Sequence, residues 1–125
     1  MKIITTIARY LLGFLFTVFG LNGFLHFLPM GPVPPLAGQF FGAMVQSHYM
    51  AVVFALQLVC GLMLLANRYV PLALTILGPI IFNIILFHVF MEPSGLPLAA
   101  VVTVLWTVLA YRARSVFAVL LQNSY

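Results

Sequence analysis

The side chains that could do chemistry in this 125-residue chain are three histidines, one acid, one cysteine and a few amides. His26, His48 and His88 and the acid Glu92 each stand at an end of a long apolar run. Polar groups inside apolar runs are costly, so their placement is informative. Three amides complete the set: Asn22 and Asn83 lie about a turn or two deeper, and Gln57 lies in the middle of a run. The predicted ligand-binding residues are therefore Asn22, His26, His48, Gln57, Asn83, His88 and Glu92.

Several chemistries fit this set of groups. Imidazole and amide groups can hydrogen-bond the two carbonyl oxygens of a quinone-like ligand, and nearby phenylalanines would supply an apolar wall. Three histidines and a carboxylate could bind a metal, but no compact motif such as HExxH is present. Two histidines at one level could hold haem, and His88 with Glu92 could pass protons. A quinone-like ligand is favoured over metal or haem, with a wall drawn from Phe24, Phe27, Phe40, Phe87 and Phe90.

Each of these residues also has a purely structural interpretation. Asn22, Asn83 and Gln57 could hydrogen-bond neighbouring helices, and the histidines could be satisfied by water or backbone. Glu92 could simply begin a turn. No GxSxG motif occurs, and no serine or cysteine is evidently paired with a base, so no catalytic residue is predicted.

The composition restricts the class of protein. Hydrophobic residues make up 65% of the chain and charged residues 5%, and the mean hydropathy is +1.23. A soluble domain is nearer half apolar and a quarter charged, so a soluble globule, a disordered chain and a nucleic-acid-binding module are excluded. The chain is predicted to be an integral membrane protein that has the lipid bilayer as its solvent.

Four apolar runs are long enough, or nearly so, to cross a bilayer as helices. The sequence therefore predicts one all-α membrane domain over residues 1–125, folded as a transmembrane four-helix bundle. Small residues at helical spacing, Gly13, Thr17 and Gly20 in one run and Ala99, Thr103 and Thr107 in another, are candidate contact stripes. The predicted spans are residues 10–28, 49–66, 71–90 and 95–111, followed by a tail over residues 115–125.

The charges predict the orientation of the bundle. With four spans, all five cations fall on one side, and the positive-inside rule places both termini in the cytoplasm with them. Residues 29–48 and Glu92 are then extracytoplasmic, and the apolar second half of this longer loop predicts an interfacial or re-entrant helix. The cations are Lys2, Arg9, Arg68, Arg112 and Arg114.

Three runs of sequence carry a resemblance to a known family. They are GLNGFLHFLP at residues 20–29, GQFFGAMVQSHYM at residues 38–50 and GPIIFNIILFHVFMEPSGLPLA at residues 78–99. In their order and spacing they resemble the DoxX-like family of small four-helix membrane proteins. The resemblance implies a four-helix bundle in the bacterial inner membrane, with recurrent polar positions at Asn22, His26, Asn83 and His88. Many family members carry an acid near the position of Gln57, where this chain has a neutral amide.

The resemblance also implies a range of functions. Members are similar to small subunits of thiosulfate:quinone oxidoreductase, to accessory proteins of membrane redox systems and to assembly factors for other membrane proteins. We therefore expect a small redox-associated subunit or accessory protein that binds a quinone-like or other small ligand and that is not an enzyme as an isolated chain. Its expected partners are a larger membrane complex or further copies of itself, and no nucleic acid. The alternatives are a non-catalytic assembly or scaffold factor and a small oligomeric transporter.

Overall fold

The computed structural model describes residues 2–28 and 31–123, and within them the secondary structure is helical with no strand. Two short 3-10 turns, Pro93–Gly95 and Val119–Leu121, accompany the α-helices. The α-helices are α1 (Lys2–Leu25), α2 (Pro35–Gln46), α3 (Tyr49–Ala66), α4 (Val70–Phe90), α5 (Leu96–Arg112) and α6 (Arg114–Ala118).

Four of the helical segments are long and apolar enough to cross a membrane: Lys2–Leu25, Tyr49–Ala66, Val70–Phe90 and Pro93–Arg112. Helix α1 packs against α3 and α5, and α4 packs against the same two helices, so the four close into a ring. The prediction of an all-helical chain with four such helices is confirmed. The fully buried large side chains inside the ring are Leu12, Leu64, Leu74, Leu77, Leu109 and Cys60.

Glycines allow α1 and α3 to approach closely. A Cβ added at Gly20 would lie 2.7 Å from the backbone nitrogen of Leu58, and one at Gly61 would lie 2.6 Å from that of Thr17. No larger side chain fits between backbones at this distance. The predicted contact stripe in the first span is therefore confirmed. In α5 the stripe was wrong at Thr107, which is exposed and donates to Thr103 O of its own helix.

Helix α1 is displaced from its predicted bounds toward the N-terminus. It begins at Lys2 and ends at Leu25, whereas the apolar run suggested residues 10–28. The helix continues through Arg9 because a charged residue does not break a helix. The Arg9 guanidinium donates to the carbonyl oxygens of Leu64 and Leu65 at the end of α3. Helix α1 stops because His26 adopts the left-handed conformation, with φ 53°.

The hairpin of α4 and α5 is joined differently. The indole Nε1 of Trp106 donates to Leu74 O at 2.9 Å, and the indole ring lies against Gly78. Pro79 stands inside α4, which nevertheless continues as one helix from Val70 to Phe90. A side-chain hydrogen bond therefore ties α5 to α4, whereas α1 and α3 combine close backbone contact with the hydrogen bonds of Arg9.

Candidate functional site

The helix order gathers the predicted site residues at one end of the bundle. Neighbouring helices in the ring run in opposite directions, so the end of α1, the start of α3 and the α4–α5 turn lie together. We call this end, which carries His26, His48, His88 and Glu92, the histidine end. The opposite end carries Lys2, Arg9, Arg68, Arg112 and Arg114 and is called the cationic end.

Asn22 and His26 together form the end of α1. The half-buried Asn22 accepts a hydrogen bond through Oδ1 from the backbone nitrogen of Leu28 at 2.7 Å. The His26 backbone nitrogen donates to Asn22 O at 2.8 Å, and the His26 side chain is exposed. The terminal groups of a helix need such partners. Asn22 therefore acts here as a cap for the turn that ends α1.

His48 stands immediately before α3. Its backbone has φ 64°, its side chain is exposed, and it makes no side-chain hydrogen bond to the amides of the helix that follows. A left-handed non-glycine residue costs conformational free energy, so the turn and not the imidazole determines its placement.

His88 is the histidine that the fold holds most firmly. Its Nδ1 lies 2.8 Å from Ile84 O, one turn back along α4, and the side chain is half-buried. A Cβ added at Gly95 would lie 2.2 Å from His88 Nε2, so the imidazole occupies the space that a side chain would need there. Because a carbonyl oxygen only accepts, Nδ1 carries the proton, and Nε2 of the neutral ring is an acceptor.

Three phenylalanine rings pack together, and one of them, Phe87, is next to this histidine in the chain and contacts its imidazole. The Phe87 ring lies 5.1 Å from the His88 ring, 5.6 Å from the Phe40 ring and 5.2 Å from the Phe41 ring, measured between centroids. Such separations are typical of favourable aromatic pairs. We call these four residues the aromatic cluster; it joins α2 to the end of α4.

The predicted aromatic wall is thus only partly assembled. Phe40 and Phe87 belong to the cluster, whereas Phe24 packs edge-on against Phe54 of α3 and Phe27 and Phe90 are exposed. Sequence reasoning missed Phe41, although it adjoins Phe40 on the same short helix. It also missed Gly95, whose lack of a side chain makes room for the imidazole.

The remaining predicted residues are Asn83, Glu92 and Gln57. Asn83 is exposed, and its Nδ2 donates to Pro79 O of the same helix at 2.9 Å. Glu92 accepts from the hydroxyl of Ser94 at 2.6 Å. Gln57 is only 5% exposed and lies in the interior of α3, a helix turn before Cys60 and Gly61. Asn83 and Glu92 are therefore positioned by their own helix or turn, whereas Gln57 is enclosed by the packing of the bundle.

The seven predicted residues share one half of the bundle without being joined to one another. Across residues 2–28 and 31–123, no side-chain hydrogen bond or ion pair links any two of them. The same residues contain no group of three or more His, Cys, Asp or Glu side chains that could hold a metal ion. The aromatic cluster is thus a place where a predicted residue, His88, adjoins side chains from a second helix.

Comparison of the chain with protein-family models, with curated proteins and with solved structures yields no match.

Proposed function

We propose that this protein is a DoxX-like multi-pass membrane protein that serves as a small accessory subunit of a membrane redox system. In this proposal it belongs to the bacterial inner membrane and binds a quinone-like ligand at the histidine end. The supporting observation is the aromatic cluster, in which an oriented, half-buried His88 adjoins the Phe87 ring, and Phe40 and Phe41 of α2 pack on that ring. Such a combination of apolar wall and one polar group is what ring-shaped ligands require.

The state of the imidazole determines which form of the ligand binds better. Nδ1 is engaged by Ile84 O, so an imidazole in its neutral form offers a hydrogen-bond acceptor at Nε2, on the side that faces Gly95. A quinol hydroxyl can donate to that nitrogen, whereas a quinone carbonyl cannot. We therefore expect the reduced ligand to bind more tightly than the oxidised one.

The orientation follows from charge in the same proposal. The positive-inside rule places the cationic end in the cytoplasm and the histidine end outside. Helix α2, in which Ala37 is the only buried residue, then lies in the outer interface with apolar side chains such as Leu36 and Val45 toward lipid. This position lets a ligand reach the aromatic cluster from the bilayer.

The proposal can be tested by photolabelling in phosphatidylcholine nanodiscs. An azidoquinone is cross-linked to the purified protein in competition with decylubiquinol or decylubiquinone, and the labelled peptides are mapped by mass spectrometry. We expect label on peptides that contain Phe40, Phe41 and His88, and stronger competition by the quinol. His88→Phe keeps an aromatic ring but removes Nε2, so labelling should fall about tenfold, the equivalent of one good hydrogen bond.

His48→Phe is the matched control, because it makes the same change at an exposed histidine of the same end. It should leave labelling unchanged. Equal labelling of the wild type and His88→Phe, or label spread evenly over the lipid-facing helices, would contradict the proposal. In that case the alternative of a non-catalytic assembly factor is favoured, with the exposed apolar face of α2 as the surface that engages the larger complex.

A further inference from the structure

The cationic end contains a groove that the redox proposal does not use. It has a volume of about 330 Å³ and lies between the start of α1, the α3–α4 turn and the end of α5. A second hollow, of about 460 Å³, shares Lys2 and Arg112 with it and adds Tyr111 and Arg114. The polar residues that line the groove are Lys2, Thr5, Thr6, Arg9, Asn67 and Arg112.

No acidic side chain balances these charges. Lys2, Arg9 and Arg112 line one groove, and the only acidic side chain in the sequence is Glu92, at the other end of the bundle. Like charges that share a confined space repel each other, and a nearby anion relieves that repulsion. The groove is therefore electrostatically suited to a negatively charged ligand.

Arg9 is held in place before any ligand arrives. Its Nη1 donates to the carbonyl oxygens of Leu64 and Leu65, and its guanidinium lies 4.4 Å from the centre of the Tyr10 ring. Its Nη2 and Nε have no hydrogen-bond partner among the residues that the structure describes. A guanidinium with three free N–H groups, two on Nη2 and one on Nε, suits the oxygens of a phosphate.

The start of α4 adds one backbone donor, the Val70 N–H, to the same groove, since Pro71 has no N–H. Val70 and Pro71, the first two residues of α4, both line it, and Tyr69 before them provides no side-chain cap. The first amides of a helix have no partner within the helix and carry partial positive charge. The Val70 amide therefore favours an anion at this position in addition to the three side-chain cations.

We propose that this groove binds a phosphate group. The phosphate comes either from the headgroup of an anionic phospholipid or from a soluble phosphate ester on the cytoplasmic side. The groove is at the opposite end from the aromatic cluster, so this proposal does not depend on quinone binding. Arg112 is exposed and lines both hollows, which makes it a contact residue whose removal should leave the bundle intact.

The experiment compares Arg112→Gln with Arg68→Gln. Arg68 is an exposed cation at the same end but lines neither hollow, so the two variants lose the same charge. Native mass spectrometry measures retention of phosphatidylglycerol against phosphatidylcholine. Thermal unfolding in phosphatidylcholine nanodiscs measures stabilisation by inorganic phosphate and glycerol 3-phosphate. Unchanged melting temperatures without ligand verify that both variants are folded.

Arg112→Gln should weaken binding about tenfold, because a charge-assisted hydrogen bond is lost, and Arg68→Gln should leave it near the wild-type value. An effect confined to phosphatidylglycerol identifies a lipid headgroup as the source of the phosphate. An effect on inorganic phosphate or glycerol 3-phosphate identifies a soluble source. Equal weakening by both variants would mean general surface charge and would overturn the proposal, as would a wild type that prefers neither phosphatidylglycerol nor phosphate.

Discussion

The two ends of the bundle use their polar side chains in opposite ways. At the cationic end, Arg9 reaches carbonyl oxygens 55 and 56 residues away and links α1 to α3. At the histidine end, the side-chain hydrogen bonds of Asn22, Asn83, His88 and Glu92 reach no further than six residues along the chain. Polar residues that share one level of a bundle therefore do not by themselves form a site between helices.

This difference has an energetic consequence. A side chain that bonds within its own turn stabilises that turn, and its loss is felt locally. A side chain that joins two helices stabilises the tertiary arrangement, so its loss lowers the free energy of unfolding of the whole bundle. Substitutions at the two ends should therefore lower the free energy of unfolding by different amounts. The loss should be larger where the bond removed joins residues far apart in the sequence.

Arg9→Ala should have the largest effect. It leaves the carbonyl oxygens of Leu64 and Leu65 without their charged donor, and hydrogen bonds to charged groups are worth about 1.5–3 kcal/mol. We expect the free energy of unfolding, measured by reversible denaturation in mixed micelles, to fall by about that amount. Arg68→Ala is the control and should change it by less than about 0.5 kcal/mol. Equal losses would show that the reach of the Arg9 bond is unimportant.

Gly95→Ala tests the packing of the histidine end. The new Cβ would lie 2.2 Å from His88 Nε2, so the imidazole must move. Overpacking of this kind typically costs about 1–3 kcal/mol. In a double-mutant cycle, His88→Ala should remove most of the penalty of Gly95→Ala. Additive effects in the same denaturation assay would argue against contact between the two residues.

Asn22→Ala removes the acceptor for the Leu28 amide and should cost about 1 kcal/mol, as the loss of one neutral hydrogen bond. Because the bond lies at a helix end, hydrogen exchange should rise first in the amides around residues 25–28. Uniformly faster exchange along α1 would instead indicate that Asn22 supports the whole helix.

Asn83→Ala should have the smallest effect, within about 0.5 kcal/mol, because its side chain is exposed and bonds only to its own helix. The comparison with Asn22→Ala is informative, since both asparagines have the same predicted role. A loss at Asn83 larger than at Asn22 would reveal a partner outside the chain, such as another subunit.

Much of the fold could be predicted from the apolar runs. Helix α3 occupies Tyr49–Ala66, the predicted residues 49–66, because Asn67 and Arg68 end the apolar run and Asn67 takes a left-handed turn with φ 55°. Helix α1 was harder to delimit, because its first turns mix isoleucines with Lys2, two threonines and Arg9, and Arg9 bonds to α3. Residues 29 and 30 of the predicted loop and residues 124 and 125 of the predicted tail lie outside the described residues.

The candidate site was less predictable. Spacing along the chain places His88 and Glu92 at the same end of the bundle. It does not tell which rotamer the imidazole adopts or which aromatic rings lie near it. Phe41 joins the aromatic cluster only because α2 folds back onto the end of α4. The cations predicted the orientation of the bundle, and only the packing of three separate segments forms a groove from three of them.

Hydropathy by itself determined that this chain forms four long apolar helices. The length and apolar composition of each run can be read from consecutive residues, without knowing which other segments it contacts. The glycines of α1 could likewise be recognised as contact positions from their spacing alone. The tertiary structure decided the partners: Arg9 with α3, Trp106 with α4, and His88 with Gly95 and the phenylalanines. The reason is physical, since hydrogen bonds and close packing depend on distances of a few ångströms between segments that are far apart in sequence.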